Sequence, residues 1–185
     1  QTEKFIDILG SVAETMITNN YADHIYTLSK GISWITFQNE CAAIRIDDQL
    51  CKQGKGITLY SSFKQNLKGD KMYTVFEDSE GDEWILTNKG ISIIGKKQVD
   101  SDFPFQYIKE ADGIIYLVSQ SDKLASYNFK TRQFKFIEIP YHVSMINEVK
   151  KFDSNTLLLA TDNGLIIYKI KEKEFQLIDI RTSTQ

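Results

Sequence analysis

The sequence predicts an all-β chain, a β-propeller fragment of about four antiparallel blades, on three observations. A turn followed by a short strand with a large apolar anchor recurs four times, in residues 29–36, 79–87, 111–119 and 153–161. The anchors Trp34, Trp84, Tyr116 and Leu157 recur at an average spacing of roughly 40 residues, the length of one four-stranded blade. Period-two alternation of β-branched and aromatic residues dominates, and no 3.6-residue period competes with it beyond residues 12–17.

The elements follow in order. Lys4-Phe5-Ile6-Asp7-Ile8 reads as the outer strand of a preceding blade (residues 1–10), as though the chain were cut from a longer array. The first blade is expected at 21–62: His24-Ile25-Tyr26-Thr27-Leu28 alternates as an innermost strand, Gly31 marks the turn, and Trp34 anchors the next strand. The second, at 71–103, opens on residues 72–78, turns at Gly81, anchors at Trp84 and turns again at Lys89-Gly90 into Ile91-Ser92-Ile93-Ile94. The third, at 104–140, runs from 105–108 through a turn at Gly113 and the Tyr116 strand to an outer edge at 134–139. The fourth, at 143–181, carries the Leu157 strand, an Asn163-Gly164 turn, a strand at 165–168 and an outer edge at 175–180. Lys89-Gly90 and Asn163-Gly164 supply the positive φ of tight hairpins, and charges on the outer strands blunt those edges against unwanted pairing.

Residues 75–93, which contain Glu77-Asp78-Ser79-Glu80-Gly81-Asp82-Glu83-Trp84-Ile85-Leu86-Thr87-Asn88-Lys89-Gly90-Ile91, closely resemble the two-component regulator propeller repeat. That pattern runs I-x-E-D-x-x-G-x-x-W-I-G-T-x-x-G-L, and Leu86 stands here where glycine is usual. The other three repeats are more degenerate. The resemblance implies the periplasmic sensor region of a hybrid two-component histidine kinase of the Bacteroides type. It further implies a glycan breakdown product as ligand, with the remaining blades and the signalling domains of the parent chain as partners. No kinase motif, phosphoacceptor histidine or receiver pocket is visible in this sequence.

Composition narrows the chemistry. The 185 residues carry a net charge of −3 with lysines and acids interleaved, which argues against nucleic acid as a partner. No apolar run reaches the length of a membrane helix. Two prolines and ten glycines leave no internal linker. Cys41 and Cys51 are read as two partly buried thiols, with a disulfide between them as the alternative, and two cysteines with two histidines do not furnish a structural zinc site. His24 and His142 stand in no nucleophile or metal motif. The acidic run Glu77, Asp78, Glu80, Asp82 and Glu83 is expected as a solvated hairpin turn, since EF-hand spacing is absent. Gly54-Lys55-Gly56 lacks the Gly-Lys-Ser/Thr ending of a phosphate loop. Lys64, Lys68 and Lys71 read as solvated charge, and Trp34 and Trp84 as core anchors in preference to sugar platforms.

The expectation is therefore a non-catalytic, ligand-sensing propeller segment, extracytoplasmic, without cofactor or metal, with a homodimer among its possible partners. Gly31, Gly81, Gly113, Gly90 and Gly164 join the four anchors as structural positions of the repeat. A fragment of a carbohydrate-active lyase or hydrolase, and a protein-interaction scaffold, stand as alternatives, because a fold does not by itself decide function.

Overall fold

The computed structural model describes residues 21–37, 42–61, 67, 69, 71–95, 104–119, 121–128, 131 and 133–179. Among them every sheet is an antiparallel meander whose strands pair in chain order, the arrangement that short connections between alternating segments favour. The first sheet comprises β1 (Ala22–Thr27), β2 (Ile32–Phe37), β3 (Ala42–Asp47) and β4 (Ile57–Ser61), and the second β5 (Met72–Glu77), β6 (Glu83–Thr87) and β7 (Gly90–Ile93). The third comprises β8 (Phe105–Ala111), β9 (Ile114–Ser119), β10 (Leu124–Asn128) and β11 (Gln133–Ile137), and the fourth β12 (Ile146–Asp153), β13 (Thr156–Thr161), β14 (Gly164–Lys169) and β15 (Glu174–Ile178). One helical turn, α1 (Asp48–Cys51), joins β3 to β4. Asp47 caps it, its Oδ1 accepting from the N–H groups of Gln49 and Leu50 at 3.1 Å each. The chain forms two units, one holding β1 to β7 and the other β8 to β15 with Asp78–Glu80.

A recurrent bulge shows that the four sheets are copies of one design. In each, the pairing of the first strand with the second skips a single residue near its start: Asp23, Tyr73, Gln106 and Asn147. An inserted residue at a constant place is a built feature of a strand, and it supplies a common origin for numbering the repeats.

From that origin, Trp34 pairs with Tyr26, Trp84 with Phe76 and Tyr116 with Lys109, each partner lying three residues past the bulge. In the fourth sheet the residue three past Asn147 is Lys150, and it pairs with Leu158. The fourth anchor position is thus Leu158 and not Leu157. Successive side chains on a strand point to opposite faces, so a slip of one residue exchanges the faces. Leu157 is fully buried on the face that Leu159 shares, within the core of the second unit.

The turns after β6 and β13 repeat atom for atom. Thr87 Oγ donates to the Gly90 carbonyl at 3.0 Å and accepts from Lys89 N–H at 3.3 Å, while Thr161 Oγ donates to the Gly164 carbonyl at 2.8 Å and accepts from Asn163 N–H at 3.2 Å. The positive φ falls on the glycine alone, which opens the next strand; Lys89 and Asn163 do not share it. At Gly164, with φ +126°, a Cβ would stand 2.5 Å from the Ile178 carbonyl.

Each unit has its own apolar core. In the first, Trp34 and Ala43 pack with Met72, Val75 and Ile85. In the second, Tyr116, Val118 and Leu124 pack with Ile146, Val149, Leu157 and Leu159. The tryptophans Trp34 and Trp84 are buried completely. Residues 4–8 and 12–17, Cys41, Lys64 and Lys68 lie outside the described residues, and Cys51 carries a free thiol.

Candidate functional site

The acidic run at 77–83 departs from the solvated turn expected of it. Glu83 is buried and accepts from Trp34 Nε1 at 2.6 Å and from Arg45 Nε and Nη2 at 2.8–3.1 Å. That hydrogen bond, against the cost of burial and with the nearby carboxylates adding to it, raises the Arg45 pKa further. Tyr60 lies against the Trp34 ring, centroids 4.8 Å apart, and burial raises its hydroxyl pKa. Asp78 is buried too, its Oδ1 accepting from Glu80 N–H at 3.0 Å. The β1–β4 sheet supplies the donors to Glu83, and the alternation of Glu83 into the interior is a tertiary fact that turn composition does not reveal.

Two further devices recur. Glu77 accepts from the backbone N–H and the hydroxyl of Ser29, both at 2.5 Å, and Glu110 accepts likewise from Ser79 at 2.7 and 2.5 Å. Tyr26 and Tyr107 donate their hydroxyls to the carbonyls of the bulged residues Tyr73 and Asn147, at 3.3 and 2.5 Å. The carbonyl that a bulge displaces from the ladder is thereby satisfied by the preceding sheet. These contacts hold neighbouring elements together.

In the second unit a cleft of about 730 Å³ opens where the β9–β10 turn meets the connection from β11 to β12. Asp122 and Lys123 form one wall, Phe136 the floor strand, and Glu138, Tyr141 and His142 the other wall. The first wall is tied by Ser119, whose N–H donates to the Lys123 carbonyl at 2.9 Å while its Oγ accepts from Lys123 N–H at 3.0 Å. Lys123 Nζ meets Asp122 Oδ2 at 3.0 Å, and that hydrogen bond holds the Asp122 carboxyl below its ordinary pKa. The opposite wall is tied by the fourth sheet. Tyr141 donates to the Phe175 carbonyl at 3.0 Å, Asn163 Nδ2 donates to the His142 carbonyl at 3.1 Å, and Asp162 Oδ1 accepts from Ser144 and Met145 N–H at 3.1–3.2 Å. Burial opposes ionisation of Asp162, yet these backbone donors outweigh it and lower its pKa. Both walls are pre-organised, which reduces the ordering cost of binding.

A second cleft, of about 770 Å³, lies at the opposite end of the third sheet beside Glu80, Ile114, Asn128 and Phe134. His24 is exposed beside Asp23, with Nδ1 3.2 Å from its carboxylate, and lines neither cleft. Among the described residues no three His, Cys, Asp or Glu side chains converge on a metal position, and no helix is long and apolar enough to cross a membrane. Of the repeat positions, Gly31, Gly81, Gly90 and Gly164 stand in or beside turns away from the first cleft, and Gly113 lines the second. The sequence did not single out the lining residues of the first cleft apart from His142, because they belong to two connections that meet only in three dimensions.

No protein-family model matches the sequence, and no curated protein matches it either. Solved structures do. The extracellular domain of a one-component system from B. thetaiotaomicron superposes with a TM-score of 0.68 at 20% identity, over 86% of this chain. The extracellular domain of a hybrid two-component system from the same organism gives 0.64 at 22% identity over 85%. Virginiamycin B lyase from Staphylococcus aureus, in complex with quinupristin, gives 0.67 at 22% identity over 90%. These sheets are β-propeller blades. The all-β propeller expectation is met, and at such identities the likeness extends to the fold alone. This chain spans 24% and 22% of the Bacteroides extracellular-domain chains and 58% of the lyase chain.

Proposed function

We propose that this propeller segment is a non-catalytic, extracytoplasmic sensor module of a two-component signalling protein, and that the cleft between Asp122 and His142 receives a saccharide. The observation that carries the reading is the doubly tied cleft on blades that superpose on extracellular domains of Bacteroides signalling proteins. Its lining suits a sugar. Phe136 and Tyr141 bring aromatic side chains of the kind that pack on the C–H faces of a pyranose, and Asp122, Glu138, Lys123 and His142 bring acceptors and donors for hydroxyls. The remaining blades and the signalling domains belong, on this reading, to the parent chain.

One observation favours a second reading, a carbohydrate-active or other lyase fragment: His142 shares the cleft with Glu138, a pair of types used in general acid–base chemistry, and a lyase is among the structural neighbours. Thermal melting of the protein against a panel of neutral and acidic oligosaccharides, with chromatography of each mixture afterwards, separates the two. A melting shift with intact saccharide supports the sensor. Shortened or unsaturated products establish the lyase, and no shift from any saccharide overturns the choice of ligand.

A further inference from the structure

Charge is not balanced across the cleft of the second unit. On one wall Lys123 and Asp122 answer each other, Nζ to Oδ2 at 3.0 Å, and cancel. The other wall carries Glu138, exposed at the cleft, and no ion pair among the described residues includes it. A second carboxylate stands behind that wall: Asp162 accepts from the N–H groups of Ser144 and Met145 at 3.1–3.2 Å, and such neutral donors leave its charge uncancelled. With His142 neutral the lining is therefore net negative, and the same cleft holds the aromatic side chains of Phe136 and Tyr141. A neutral sugar leaves the Glu138 carboxylate unanswered, and an acidic sugar is repelled by it. A sugar that carries an ammonium group pairs with the carboxylate and is attracted to aromatic rings as well.

We propose that the ligand of this cleft is an amino sugar with a free ammonium group, and that Glu138 is the residue that selects it. The proposal rests on the saccharide reading and names the ligand class within it. Glu138 and its partner remain in contact with water, so the pair sets the preference among sugars of one size and shape more than the total affinity, and added salt weakens it. The ring hydroxyls of the sugar keep the donors and acceptors of Asp122, Lys123 and His142, and the ammonium group is what distinguishes one saccharide from another.

Calorimetric titration at neutral pH, where most of the sugar amine is protonated, tests it. The chitosan disaccharide, with free amines, is compared with the chitin disaccharide, which keeps the rings and linkage but is acetylated and uncharged; ethanolamine supplies the cation without the sugar. The wild-type chain should bind the free amine about fivefold or more tightly than the acetylated form, the preference should shrink as salt is raised, and ethanolamine should bind far more weakly than either. Glu138→Gln, at an exposed position and of equal size, should bring the two disaccharides to the same affinity, with circular dichroism as the check on folding. Equal or weaker binding of the free amine, or a preference that survives Glu138→Gln, would overturn the inference while binding of the acetylated sugar leaves the saccharide reading standing. Ethanolamine binding as tightly as the disaccharide would overturn the choice of a sugar. No binding of either disaccharide would also overturn the inference, and the saccharide reading falls with it only if the wider oligosaccharide panel gives no melting shift.

Discussion

Glu83 ties the first unit together, because one carboxylate satisfies both an indole N–H and a guanidinium largely away from water. Exchanging Glu83 for Gln leaves Arg45 with only the longer contact to Asp47, Nη1 to Oδ2 at 3.6 Å. The Arg45 and Glu83 side chains retain 17% and 10% exposure, so the loss should be about 2–3 kcal/mol, below the larger cost of breaking a fully buried pair. Trp34→Phe removes the N–H donor to the carboxylate and part of the ring volume at a fully buried site, an expected loss of about 2–4 kcal/mol. Urea unfolding measures both. In the second unit, burial first, then Tyr168 and Asp112, push the Tyr116 hydroxyl up to about 12. Its neutral form is favoured by folding, so that contribution is complete below the unfolded value of 10.0 and declines as pH rises past it towards 12. Alkaline titration followed by tyrosinate absorbance should find several tyrosines ionising late, among them Tyr60 and Tyr168, which burial also raises, and Tyr116→Phe should remove the step near 12. Residue roles of this kind were partly legible. Trp34, Trp84 and Tyr116 stood out by size at a constant place in the repeat. Glu83 did not, since nothing in a run of acids tells which member turns inward.

Turns decide more than strands at the next scale. The Thr-x-x-Gly turns hold their shape through one hydroxyl and one glycine, and Gly164→Ala should cost roughly 1–3 kcal/mol from its backbone conformation, with the Ile178 carbonyl in the way. The fourth blade also depends on carboxylates. Asp153 is held low by the Asn155 N–H, Glu172 by the Asn155 side chain, and Asp162 as described above. Their folded pKa values lie below the unfolded ones, so the stabilisation is present above about pH 4 and is lost as pH falls through the folded values. Hydrogen exchange between pH 7 and pH 3 should show β12 to β15 opening on acidification, and Asp162→Asn should flatten that dependence. The strands themselves were readable from period-two alternation and the glycines of the turns. The Leu157 assignment slipped because three consecutive leucines, Leu157 to Leu159, give no alternation to fix which face is which. Helix α1 escaped notice because a four-residue turn has no periodicity; its one cue was Asp47 ahead of Gln49 and Leu50.

Propeller architecture was legible in the whole molecule because repetition tests itself: four imperfect copies agree where one would not. The ligand cleft was not, since its walls come from residues 122–123 and 136–142, connections without a motif, and are fixed by Ser119 of β9, by the Phe175 carbonyl of β15 and by Asp162 and Asn163 in the turn before β14. Specificity on such a scaffold resides in loops, which vary while the blades persist. The most direct measurement is amide chemical-shift mapping of the labelled chain titrated with oligosaccharides. The expected result is saturable shifts at Asp122, Lys123, Phe136, Tyr141 and His142, with the saccharide recovered intact. Shifts that cluster elsewhere, or conversion of the saccharide during the titration, would contradict a sensing cleft at this place in the fold.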